Sequence, residues 1–139
     1  MAQPIREVMT KDPVTLTGKE SAVKAASAMK DADAGAIVVA DDGQVRAILT
    51  DRDIVVRAVA EGRDPAEVKI GEICSEDVTT LQPDDPVEEA VRVMRSKHVR
   101  RVPVTQKGDV VGIVSIGDLA IERDADSALA EISAAPVNN

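Results

Sequence analysis

A chain of 139 residues can bury a core unaided, and its 17 Lys and Arg against 25 Asp and Glu leave a formal charge of −8 that opposes a broad nucleic-acid or anionic-membrane surface. One cysteine, Cys74, and one histidine, His98, exclude an internal disulfide and a soft-metal cluster within the chain. Phe, Tyr and Trp are absent, no stretch reaches the roughly 18 apolar residues of a membrane span, and the N-terminus lacks the apolar segment of a leader, so a soluble cytoplasmic protein with an aliphatic core is expected.

In chain order, "PVTL" at 13–16 reads as a short extended piece, followed by a helix that a Thr17-x-x-Glu20 capping box is expected to start. Ala22, Ala26 and Met29 form its apolar stripe. "AIVVA" at 36–40 and "VRAIL" at 45–49 read as a hairpin turned by Asp41-Asp42-Gly43. A second helix starts at Thr50 and runs to about Glu61, with Gly62 past its end. The same string then recurs: "VTTL" at 78–81, a helix capped by Asp85 with Pro86 and Glu88 and striped by Val87, Val91 and Met94, strands "RVPVT" and "VVGIV", and a helix from Ser115. Pro103 cannot donate to a ladder, which places its strand at an edge or at a bulge.

The recurrence is a repeat. Shifted by 65 residues, Ile5 to Ile54 matches Ile70 to Leu119 without a gap, with twelve identities that end on Asp53 and Asp118. Most of these identities serve a fold, but one carboxylate per repeat does nothing for an apolar core. The fold class expected is α/β (α+β), two β-α-β-β-α repeats packed by pseudo-two-fold symmetry into one globule. Residues 5–63 would be the first repeat, 64–69 a linker, 70–123 the second repeat and 124–139 a flexible tail with a short helix around Ser127 to Ile132.

Thr50 with Asp53, and Ser115 with Asp118, admit two readings. A hydroxyl at the N-cap and an acid three residues on are a helix cap; they can also face an anion and a vicinal diol. His98, Arg100 and Arg101 suit a helix C-terminus or a phosphate. Arg52 and Arg57 stand open between phosphate, a dimer partner and solvent, with solvent the default. Asp41-Asp42 and Asp84-Asp85 are accounted for by turn and cap. Cys74 aligns with Met9 in an apolar slot, as a buried thiol. No Walker loop, dinucleotide glycine pattern or hydrolase elbow occurs.

"VMTKDPVTL", "ICSEDVTTL", "HVRRVPV" and, above all, "AILTDRD" and "GIVSIGD" together resemble the cystathionine β-synthase (CBS) domain, found as tandem pairs called Bateman modules. The resemblance covers about Ile5 to Arg123. It implies a regulatory, non-catalytic module with AMP, ADP or ATP as ligand in the cleft between the repeats, and no metal or other cofactor. Asp53 and Asp118 would bind ribose hydroxyls, and Thr50 and Ser115 would approach phosphates that His98, Arg100 and Arg101 neutralise. Adenine would lie against Val14, Thr15, Ile37 and Val38 in one site and Thr79, Thr80, Val102 and Pro103 in the other. The ligand would shift the balance between arrangements of the pair and so signal to a protein partner.

Two departures stand out: Ala47 replaces the signature glycine, and "DAGAIVV" replaces "HVRRVPV". With Gly112 read as admitting the ligand and the only basic cluster, His98 to Arg101, in the second repeat, the Ser115 and Asp118 site is expected to be the tighter one, the alternative being that the cluster reaches across the pseudo-two-fold cleft to serve Asp53. A homodimer through the helices after Thr50 and Ser115, carrying Ile54, Val55, Ala58, Val59 and Leu119, is expected to cover their apolar surface. The alternative is a ligand-free dimerising module with degenerate clefts.

Overall fold

The computed structural model describes residues 3–74 and 78–123, with side chains as far as residue 120. In chain order these form a 3-10 turn (Ile5–Glu7), β1 (Thr10–Lys11), β2 (Thr15–Leu16), α1 (Ala22–Ala32), β3 (Ala36–Asp41), β4 (Gln44–Thr50) and α2 (Asp51–Ile54). The last of these runs into a π-helical segment (Val55–Val59); then follow a 3-10 turn (Ile70–Glu72), α3 (Val87–Lys97), β5 (Arg101–Gln106), β6 (Asp109–Ser115) and α4 (Ile116–Arg123). The fold is mixed α/β, with one three-stranded sheet ordered β2-β3-β4 and another ordered β1-β6-β5. The expected tail helix lies outside the described residues.

Two compact units result, and they are offset from the sequence repeats: one is Pro13–Val78, the other combines Met1–Asp12 with Thr79–Asn139. Each 3-10 turn therefore packs in the unit that holds the body of the other repeat. In one unit Ile5 N donates to Asp85 O at 2.9 Å, Arg6 N to Pro83 O at 3.0 Å and Val87 N to Gln3 O at 2.9 Å. In the other, the register-equivalent bonds are Ile70 N to Glu20 O at 2.9 Å, Gly71 N to Gly18 O at 3.0 Å and Ala22 N to Val68 O at 2.8 Å. Ile5 and Ile70 are each fully buried in the core they join.

This docking relocates the caps expected from sequence. Ser21, not Thr17, caps α1, its Oγ accepting from Lys24 N at 3.1 Å. Glu20 O is already engaged by Ile70, so Thr17 to Glu20 forms a turn before the helix. Asp85 accepts from Gln82 N at 2.8 Å instead of capping α3, whose N-cap is Pro86 with no side-chain bond. Gln3 O meets the first amide of that helix, so a side-chain cap has less to satisfy. The buried stripe of α1 is Ala22, Ala25 and Met29, with Ala26 exposed, and that of α3 is Val87, Ala90, Val93 and Met94, with Val91 half-buried.

The hairpins match their turn chemistry. Asp42 and Gly43 take φ of +54° and +78°, Lys107 and Gly108 +53° and +87°, the left-handed pair of a two-residue hairpin loop that favours glycine second. β5 is the edge strand of its sheet, as Pro103 requires, and both hairpins shift register at the same place, Val39/Ala40 and Val104/Thr105. "VTTL" at 78–81 yields only a parallel bridge from Leu81 to Val104, where "PVTL" makes a two-residue strand.

Candidate functional site

Each unit gathers one complete set of the expected site residues. In the unit Pro13–Val78, β2 runs parallel to β3 with Thr15 opposite Val38, and Val38 N donates to Val14 O at 2.9 Å. Ala36 pairs with Thr50 at the end of β4, where α2 begins. In the other unit Leu81 N donates to Pro103 O at 3.0 Å, which draws Thr79 and Thr80 toward Val102 and Pro103. Arg101 pairs with Ser115 where α4 begins. Ile37 and Val102 turn their side chains into the two cores and Val38 and Pro103, on the opposite faces of their strands, are buried as well, so the accessible surface for a planar ring comes from Val14, Thr15, Thr79 and Thr80 and from strand backbone.

Both hydroxyl and carboxylate pairs form capping boxes. Thr50 Oγ1 accepts from Asp53 N at 3.2 Å while Asp53 Oδ2 accepts from Thr50 N at 2.9 Å. Ser115 Oγ accepts from Asp118 N at 3.1 Å and Asp118 Oδ2 from Ser115 N at 2.9 Å. Capping leaves capacity in every group: each hydroxyl keeps its O–H proton to donate, and each carboxylate keeps a second oxygen. The second oxygen of Asp118 has no partner among the described residues; that of Asp53 faces Arg57 Nε at 3.9 Å.

His98 occupies the left-handed C-cap of α3, with φ of +56°, a position Asp33 takes after α1. The side chains of His98 and Arg100 are exposed and that of Arg101 half-exposed, and none has a partner among the described residues. They stand in the same unit as Ser115 and Asp118.

Gly112 has a different purpose from the one expected. A Cβ there would lie 2.5 Å from Met9 Sδ and 3.0 Å from Thr10 O, because β1 crosses β6 at that point. The glycine admits Met9. In the other unit the register equivalents are Cys74 and Ala47, both buried in one core, a smaller side chain than Met9 together with a larger one than Gly112. The departure at Ala47 is a volume exchange with Cys74, which the alignment of Cys74 with Met9 could have revealed.

Sequence reasoning singled out neither Arg46 nor Asp41 as a pair. Arg46 Nη1 donates to Asp41 Oδ2 at 3.0 Å and Nη2 to Gly71 O at 3.2 Å, while Gly18 N donates to Asp41 Oδ1 at 3.0 Å. The Gly18 amide, then the Arg46 guanidinium, hold the Asp41 carboxyl below its ordinary range. The Lys69 amide and Arg63 do the same for Glu72. No helix among the described residues is long and apolar enough to cross a membrane.

A family model described as "CBS domain" matches residues 5–59 and 70–124. The chain is 35% identical to the CBS domain-containing protein YhcV of Bacillus subtilis (strain 168), over 93% of its own length and 94% of that protein's. Among solved structures it is similar to Hypoxic Response Protein I with two coordinated zinc ions, at TM-score 0.77 and 33% identity, covering 85% of this chain and 97% of that one. It is also similar to the CBS domain pair of protein MJ0100 in complex with 5′-methylthioadenosine and S-adenosyl-L-methionine, at TM-score 0.81 and 25% identity, covering 91% and 100%.

Proposed function

The chain belongs to the CBS-domain family, and from that premise we propose that it is a cytoplasmic regulatory module that binds an adenosine nucleotide, AMP, ADP or ATP, and does no chemistry on it. The observation that carries this reading is the half-used carboxylate of Asp118, which caps the Ser115 amide, with Arg101 opposite Ser115 on the neighbouring strand and its guanidinium without a partner among the described residues. An acceptor for vicinal hydroxyls and a bidentate donor for phosphate then flank Ser115, whose O–H proton is still available. Asp53 and Thr50 supply the corresponding groups in the other unit, and Thr15 and Thr80 lie where adenine would rest. The adenosine compounds bound by the MJ0100 pair support the ligand class.

Titration calorimetry of ligand-free protein with AMP, ADP and ATP tests this reading, and the absence of heat for all three would overturn it. Because the chain has no aromatic residue, a nucleotide carried through purification would also dominate its ultraviolet spectrum.

The exposed apolar groups favour a homodimer alongside ligand binding. Val55, Val56 and Val59 are exposed on one unit, while Ile54 and Ala58 of the same segment are buried. On the other unit α3 and α4 border an apolar groove of about 430 Å³ lined by Met94, Val99, Ile116 and Leu119. A second copy of this chain is the occupant proposed for these surfaces, and a protein partner would read the ligand through the resulting assembly.

A further inference from the structure

The two units draw their cations from different elements. One has His98 and Arg100 before β5 and Arg101 as its first residue, whereas the corresponding positions of the other are Asp33, Gly35 and Ala36. The reverse holds after the signature aspartate: Arg57 follows Asp53 by four residues, and Glu122 follows Asp118 by four.

Arg57 is also held in place. Its Nε faces Asp53 Oδ1 at 3.9 Å, Nη1 donates to Ile73 O at 3.1 Å, and Nη2 has no partner among the described residues. The side chain remains 51% exposed, beside an Asp53 carboxylate that is 20% exposed. A guanidinium anchored by one hydrogen bond and one ion pair loses less freedom than an unanchored one when its remaining nitrogen meets an anion. Carboxylate and guanidinium side by side present acceptor and donor to one ligand, matching hydroxyls next to a phosphate.

We infer that Arg57 is the phosphate-recognising residue of the Thr50 and Asp53 site, taking the part that the His98 to Arg101 cluster has in the other unit. The inference rests on the nucleotide reading above. It is tested by titrating AMP and adenosine into wild-type protein and into Asp118→Ala, where only the Thr50 and Asp53 site is read, and then adding Arg57→Gln or Arg57→Lys to that background. Arg57→Gln is expected to lower AMP affinity about 10- to 100-fold and to leave adenosine within about twofold, with Arg57→Lys between.

Equal losses for AMP and adenosine, or none, would overturn the assignment and leave nucleotide binding standing. So would a wild-type protein that binds while Asp118→Ala binds neither compound. A wild-type protein that binds neither overturns both readings. Circular dichroism monitors folding; if Arg57→Gln unfolds, Arg57→Lys decides, since its AMP loss must exceed its adenosine loss.

Discussion

Asp118 shows how one residue serves the fold and a ligand together. One carboxylate oxygen closes the α4 capping box and the other is left over, so Asp118→Ala is expected to cost about 1 kcal/mol of stability and about 10- to 100-fold in AMP affinity. Calorimetry beside thermal melting separates the two effects. Asp53→Ala is expected to cost less affinity, because Arg57 already faces the oxygen that would bind hydroxyls; equal losses for the two variants would defeat the asymmetry. At Gly112 the expectation concerns packing. Gly112→Ala drives a methyl group into Met9 and is expected to destabilise by about 1–3 kcal/mol. Adding Met9→Cys, which reproduces the pairing of Cys74 with Ala47, is expected to recover part of that loss in denaturant unfolding.

At the level of elements, the true cap of α1 is testable by a pair of variants. Ser21→Ala is expected to cost about 1 kcal/mol and Thr17→Ala only a few tenths, since Ser21 Oγ holds the Lys24 amide; the opposite order would restore the cap expected from sequence. The 3-10 turn Ile70–Glu72 is fastened by two carboxylates whose pKa values are held down, Asp41 beneath Arg46 and Glu72 beneath the Lys69 amide and Arg63. A depressed folded pKa adds stability above the unfolded value and loses it as pH falls through the folded one. With ordinary values of 3.8 and 4.5, this contribution is present at neutral pH and declines below pH of about 4.5. Asp41→Asn is therefore expected to flatten the acid limb of a pH-stability profile.

At the scale of the molecule, the leading segment of each repeat stabilises the unit that holds the body of the other. Ile5→Ala is expected to cost about 2–5 kcal/mol and to raise hydrogen exchange first in β5 and β6, which share its unit. Ile70→Ala is expected to raise it first in β3 and β4. The reverse pattern would contradict the offset. The homodimer belongs to this scale too: sedimentation at micromolar concentration is expected to give twice the chain mass, and Val55→Glu with Val59→Glu is expected to give monomers.

How much was legible follows from range. Strand alternation, helix period, hairpin glycines and the 65-residue repeat are local or self-similar, so the sequence by itself determined the two hairpins, the helices and the positions of Thr50, Asp53, Ser115 and Asp118, but not the pairing of β1 with β6. Only the tertiary structure decided which body each leading segment joins, because the two docking faces offer the same backbone bonds and differ in side-chain volume, Met9 against Gly112 and Cys74 beside Ala47. The caps misplaced from sequence follow from that docking: the backbone carbonyls of Val68 and Gln3 meet the amides of Ala22 and Val87, and no local pattern records so distant a partner.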